Sequence, residues 1–142
     1  MAEQSLDNKV AFELVTPTAL VHGGAVDMVV VPGAEGDFGV LPGHTPFLST
    51  VRPGVIDVHD GGSVTARLFV EGGFAEATPE RCTVLADSAM PVEDINREQT
   101  EMKLKDARED LADAKDDAAR KAAEHAIAVY EAMLAANAAF RG

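Results

Sequence analysis

Proline and glycine stop abruptly part-way along this chain, and that break limits its fold more than any other feature. All seven prolines lie at or before Pro91, and eleven of the twelve glycines lie at or before Gly73. From Val92 to Arg141 neither residue occurs, and alanine becomes the commonest side chain. Proline removes a backbone donor and glycine costs helix stability, so their joint absence over such a length favours helix. The chain therefore divides into two architectures, residues 1–91 and residues 92–142. Charge divides with it: 12 acids and 4 bases before the break (net −8), 12 acids and 8 bases after it (net −4).

The first part reads as β structure. Its centre is the run Pro32 to Gly54, which holds Pro-Gly pairs at Pro32-Gly33, Pro42-Gly43 and Pro53-Gly54. Proline presets φ for the second position of a type II turn and glycine supplies the positive φ of the third, so three such turns are expected. Gly36 and Gly39 loosen the middle of the run, and Glu35 and Asp37 stand in solvent. Upstream, Val10, Phe12 and Leu14 alternate with Ala11, Glu13 and Val15, while Ala25 to Val31 is apolar enough for one strand buried on both faces. Downstream, Gly61-Gly62 signals a hairpin, Gly72-Gly73 ends a strand, and Thr78-Pro79-Glu80 turns into Arg81 to Asp87. Val64, Ala66, Leu68 and Val70 share one face against Thr65, Arg67, Phe69 and Glu71. Short strands with frequent turn signals predict an antiparallel β-sandwich of about eight to ten strands.

The second part reads as helix. Glu93 and Asp94 fall in its first turn, where they complement the helix dipole. Ile95, Met102, Leu104, Ala107, Leu111 and Ala114 form one narrow stripe. Ala119, Ala123, Ala126, Tyr130, Met133 and Asn137 form another, with Ile127 and Leu134 beside it. An aspartate between Asp113 and Asp117 suits the cap of a second helix. A two-helix antiparallel hairpin is expected, with one continuous helix as the alternative. The fold class is α+β. Pairs at i,i+4 (Glu93–Arg97, Glu101–Lys105, Asp116–Arg120, Asp117–Lys121) support the helices locally. The alanine-rich stripes bury little area, so the hairpin is expected to detach without losing its helicity.

Bulk properties exclude several classes. A net charge of −12 disfavours nucleic acid, whose phosphates would repel it, and a surface-bound membrane helix, which needs bases. No apolar run approaches a spanning helix, so no membrane insertion is expected. Residues 1–9 are polar, with no apolar segment of a signal peptide. One cysteine, Cys82, forms no internal disulfide and reads as a reduced core thiol.

Chemistry is sparse. The glycines from 33 to 43 match neither phosphate-loop pattern. His22, His44, His59 and His125 have no metal-ligand spacing, so no metal site and no catalytic residue is expected. His44 suits an interface, or equally a turn histidine bonded to nearby backbone.

Several segments together resemble the N-terminal domain of the epsilon subunit of F-type ATP synthases, a subunit of the rotating central stalk. These are Phe12-Glu13-Leu14-Val15-Thr16-Pro17, the Pro32 to Gly54 run, Ile56-Asp57-Val58, Phe69-Val70-Glu71-Gly72-Gly73-Phe74 and Cys82-Thr83-Val84-Leu85-Ala86-Asp87. The last 50 residues are similar mainly in length and helical character.

The resemblance implies a non-catalytic rotor subunit that couples proton flow through the membrane ring to ATP synthesis in the catalytic head. It implies a β-sandwich docking domain at 1–91 and a helical hairpin at 92–142. Its partners would be the gamma subunit and the rotor ring of c subunits, with the alpha/beta head as a further contact. It would be peripheral, at the cytoplasmic face of a bacterial inner membrane. Glu35, Gly36, Asp37 and Phe38 would face the ring, His44 and Thr45 the gamma subunit, and Arg120 and Lys121 the head. Some members bind ATP through Ile-Asp-x-x-Arg-Ala; here those positions read Ile95-Asn96-Arg97-Glu98-Gln99-Thr100, without the carboxylate or the guanidinium. No ATP and no other cofactor is therefore expected. Ala122 to Phe140 holds no lysine or arginine, so a weak brake on ATP hydrolysis, or none, is expected. The competing class is a free-standing β-sandwich adaptor whose hairpin recruits a protein partner.

Overall fold

A computed structural model of the protein describes residues 8–141. The polar stretch at residues 1–9 thus falls, up to residue 7, outside the described residues. Two compact units follow one another, Met1–Pro91 and Val92–Gly142.

The first unit contains β1 (Val10–Thr16), β2 (Ala19–Val26), β3 (Met28–Gly33), β4 (Gly36–Val40) and β5 (Phe47–Val51). β6 (Gly54–Asp60), β7 (Ser63–Val70), β8 (Gly73–Ala77), β9 (Arg81–Ala86) and β10 (Ala89–Pro91) complete it. They pair in the order β10-β7-β6-β3-β5-β8-β9-β1-β2, with β4 against β3. All pairs are antiparallel except β1 with β9, which run parallel in the register Phe12↔Cys82 and Leu14↔Val84. The two halves of this path meet at the single pair Gly33↔Val51. They enclose one core, to which Phe12, Leu14, Val84 and Ala75 contribute from one half and Val29, Val31, Ile56 and Val58 from the other. The sandwich expected from alternation is therefore present. Phe69, on the face opposite Leu68 and Val70, is also buried.

The apolar run Ala25 to Val31 is not one strand. It breaks at Asp27, where the backbone leaves β2 and enters β3. Asp27 accepts a hydrogen bond at Oδ2 from the Gly61 amide (2.8 Å) and pairs at Oδ1 with Lys9 Nζ (2.8 Å). Lys9 also reaches Asp60 at 2.5 Å, so one ammonium ties the start of β1 to the β2–β3 corner and to the β6–β7 hairpin. Hydrogen bonds to Asp27 and then Asp60 raise the Lys9 pKa above the usual lysine range. The bond from Lys9, then that from the Gly61 amide, lowers Asp27 below the usual carboxylate range. Cys82 is fully buried and unpaired, and desolvation pushes its thiol up to about 12.

Turn chemistry is met in part. Gly43 takes φ +83° and the His44 amide donates to the Leu41 carbonyl at 3.1 Å, the type II turn expected at Pro42-Gly43. Gly61 and Gly62 both take positive φ between the paired Asp60 and Ser63, a two-residue type I′ hairpin. Pro32-Gly33 and Pro53-Gly54, however, are not type II turns: Gly33 ends β3 and Gly54 begins β6, neither with positive φ. Space, not dihedral freedom, requires glycine there. A Cβ on Gly33 would lie 2.7 Å from the Gly36 carbonyl oxygen, and one on Gly54 would lie 3.0 Å from Pro32 Cβ.

The second unit is a 3-10 turn at Val92–Asp94 and the helices α1 (Arg97–Asp113) and α2 (Asp117–Arg141). Glu93 and Asp94 lie in the 3-10 turn and so precede α1 rather than opening it. Asn96 is the N-cap of α1, its Oδ1 accepting from the Gln99 amide at 3.0 Å. Asp116 caps α2 by accepting from the Ala119 amide at 2.7 Å, which settles the choice between one helix and two. With Asp116 so engaged, Arg120 pairs with Asp117 instead, and Arg97, freed of a helical Glu93, pairs with Glu101. Leu104, Ala107 and Ala123 are buried as the stripes require, but Met102 is 69% exposed, and Val129 and Ala136 take inward places that the stripes omit.

Candidate functional site

The segment 35–38 forms the tip of the β3–β4 hairpin. Gly33 pairs with Gly36, leaving Ala34 and Glu35 as a two-residue turn. Glu35, Gly36 and Asp37 are exposed and Phe38 is half-buried. Arg52, at the end of β5, donates from its guanidinium to the Gly33 carbonyl and to Asp37 Oδ1, both at 2.5 Å. The Phe38 ring stacks edge-on against Phe47 with centroids 5.1 Å apart. His44 follows the type II turn; its Nδ1–H donates to the Thr45 carbonyl at 2.6 Å and its ring lies 6.4 Å from Phe47. Phe47 thereby joins the tip and the His44–Thr45 loop into one patch. The backbone bond of His44 is the one expected of a turn histidine, while Thr45 stands exposed.

The four positions of the degenerate nucleotide motif are engaged in local structure. Ile95 is 4% exposed and its carbonyl accepts from Asn137 Nδ2 at 3.4 Å. Asn96 caps α1, Gln99 supplies the amide it caps, and the buried Thr100 donates its hydroxyl to the Asn96 carbonyl at 2.7 Å. Arg120 and Lys121 are exposed in the first turns of α2. Among the described residues no three His, Cys, Asp or Glu side chains lie together as a metal site. Among the same residues no helix is long and apolar enough to cross a membrane.

One surface was not apparent from the sequence. The register aligns Phe74 with Leu85, Leu85 with Val15, and Val15 with Leu20 across β8, β9, β1 and β2. Phe74, Leu85 and the half-buried Val15 alternate with core positions and so face outward, and the register shift between Leu14 and Val15 brings Leu20 beside Val15. Phe74, Leu85 and Leu20 are 57%, 55% and 60% exposed. Leu48 on β5, 70% exposed, stands opposite Glu76 in the adjoining row, which continues through Thr83 to Glu13. An apolar ladder thus crosses four strands beside an acidic one. The visible signal was large apolar residues in outward slots of alternating strands, where polar ones are usual. Contiguous exposed apolar surface of this kind makes the ladder a candidate interface.

Comparison with known proteins fits this geometry. Residues 9–92 match the family model of the β-sandwich domain of the ATP synthase delta/epsilon chain. Residues 96–140 match that of the C-terminal domain of the ATP synthase epsilon chain. Together the two matches describe a β-sandwich domain followed by the C-terminal domain of an ATP synthase epsilon chain. The ATP synthase epsilon chain of Paramagnetospirillum magneticum is 55% identical over 128 residues, covering 90% of this chain and 96% of the relative. That of Rhodospirillum rubrum is 50% identical over 126 residues, covering 89% and 94%. One subunit in the cryo-EM structure of the Euglena gracilis mitochondrial ATP synthase, comprising OSCP, F1 and the c-ring, superposes with a TM-score of 0.79 at 25% identity. That match covers 91% of this chain and 81% of the Euglena one. This chain belongs to the ATP synthase epsilon chain family, and as such is a non-catalytic subunit of ATP synthase.

Proposed function

We propose that this protein is a rotor subunit of a proton-translocating ATP synthase, seated on the central stalk and transmitting rotation between the membrane ring and the catalytic head. The observation that carries this reading is the apolar ladder Phe74–Leu85–Val15–Leu20. A subunit held on a rotating shaft needs a docking face, and an exposed apolar stripe on a protein of net charge −12 is a surface that a partner must cover. We assign the ladder, with His44 and Thr45, to the gamma subunit, and the tip Glu35–Phe38 to the rotor ring of c subunits. Residues 1–91 are then the docking domain and 92–142 the hairpin. The subunit is peripheral, at the cytoplasmic face of a bacterial inner membrane.

The hairpin is proposed as a weak brake on ATP hydrolysis, or none. Arg120 and Lys121 are the bases we assign to the head, and Arg120 already pairs with Asp117 at 2.6 Å. The linker is not proposed to hold ATP, because Asn96 is used as a cap and the Thr100 hydroxyl as a backbone donor. A dissociation constant for ATP below about a millimolar by calorimetry would overturn that. For the docking reading, the test is co-purification of Leu85→Glu with the remaining stalk. A charge at the centre of the ladder is expected to abolish it while the isolated variant stays folded. Stoichiometric recovery of Leu85→Glu in the assembled enzyme would refute the docking face.

A further inference from the structure

The first unit has only four bases, and all four are spoken for: Lys9 by Asp27 and Asp60, Arg52 by Asp37, Arg67 by Asp57, Arg81 by Glu13. Arg52 differs from the others in bonding both strands of a hairpin to which it does not itself belong. Its side chain reaches back over 19 positions to the Gly33 carbonyl and over 15 to Asp37, so one guanidinium spans both strands of the β3–β4 hairpin beside its turn. Two main-chain bonds hold the β3 side of the hairpin: the Arg52 amide donates to the Pro32 carbonyl at 2.9 Å, and the Ala34 amide donates to the Thr50 carbonyl at 2.9 Å. Guanidinium geometry suits this double contact, since its planar fork offers several donors in fixed directions where an ammonium offers a point charge. The opposite side of the tip is closed by the Phe38 ring against Phe47. Among the described residues the turn's one backbone bond to a neighbouring strand is that from Ala34 to Thr50 of β5, so the tip is held through these contacts.

We propose that Arg52 is the positioning residue of the β3–β4 tip. It fixes the hairpin turn and cancels the charge of Asp37, so that the tip presents Glu35 as its exposed carboxylate to a polar or basic loop of the rotor ring. The placement against the ring rests on the function proposed above; the bracing does not. Among the described residues Glu35 has no ion-pair partner, whereas Asp37, two positions on, is paired. Removing Arg52 therefore changes two things at once, freeing the turn and placing a second uncompensated carboxylate beside the first. The second effect is screened by salt and the first is not, which separates them.

Two measurements test this. In the isolated full-length protein, amide hydrogen exchange at residues 34–37 is expected to accelerate about tenfold in Arg52→Ala, with β8 and β9 amides unchanged. Arg52→Lys is expected to recover part of the protection, keeping one contact of two. Unchanged exchange at the tip in Arg52→Ala overturns the bracing. In the assembled enzyme, a cross-linker at Glu35→Cys is expected to reach a ring subunit, and the yield is expected to fall at least threefold when Arg52→Ala is added. The further change Asp37→Asn in that background is expected to restore part of the yield at low salt only. An equal yield with and without Arg52 overturns its role toward the ring. If Glu35→Cys never reaches the ring even with Arg52 present, the placement of the tip is wrong, and the exchange result alone then decides the bracing.

Discussion

Truncating Phe74 to alanine tests the docking face most directly. Phe74 stands 57% exposed between Thr50 and Leu85 on the outward face of β8. An aromatic side chain offers about 150–250 Å² to burial, so roughly 85–140 Å² remains for a partner to cover. At about 25 cal/mol per Å², covering it contributes roughly 2–3.5 kcal/mol, a loss of about 30-fold to a few hundred-fold in affinity on truncation. Immobilising the ring on binding offsets little of this, because its cross-strand neighbours already restrict it. The folded protein loses little, since the exposed portion contributes nothing to the core. β-propensity alone argues for a melting shift of a few degrees at most. The assay is binding of the full-length variant to a stalk subcomplex containing the gamma subunit, by calorimetry, with Met102→Ala as control. Met102 is more exposed, at 69%, but belongs to α1 of the second unit and is not part of the ladder, and its truncation is expected to leave affinity unchanged. Phe74→Ala binding within about threefold of the parent, with unaltered melting, would refute the argument that the ladder is the docking face.

Gly33→Ala is expected to destabilise the first unit by about 1–3 kcal/mol, because its Cβ meets the Gly36 carbonyl at 2.7 Å and the Phe38 ring at 3.0 Å. A melting temperature equal to the parent's would show that the tip yields freely. The Lys9 clamp sets a pH window: Asp27, lowered, contributes stability above the ordinary carboxylate range that is lost as pH falls through its depressed value, while Lys9, raised, contributes below the ordinary lysine range and loses it as pH rises through its elevated value. Lys9→Met should therefore cost stability between about pH 5 and pH 9 and converge with the parent near pH 2, as read by urea unfolding at each pH. Truncation after Met90 in the assembled enzyme should leave ATP hydrolysis nearly unchanged with coupling retained; a several-fold rise would establish the hairpin as a strong brake.

Local order was legible in the residues themselves. Alternation placed Val10, Phe12 and Leu14 inward, and all three are fully buried. Gly61-Gly62 announced a tight hairpin because only residues tolerant of positive φ form one, and an aspartate ahead of the second helix announced its cap. The family, too, was visible in the run from Pro32 to Gly54. Long-range juxtaposition was not legible. Pro-Gly looks alike whether glycine serves a turn or a close approach, and Gly33 and Gly54 are decided by Gly36 and Pro32 across the sheet. Charge pairs on a helix depend on which acid is already used as a cap, so Asp116 left Arg120 to Asp117. Above all, the apolar ladder exists only because β9 runs parallel to β1 in one register, setting Leu85 beside Val15, 70 positions away in the sequence. Period and turn chemistry act over a few residues and reside in the sequence; a surface assembled from four strands is a property of their pairing.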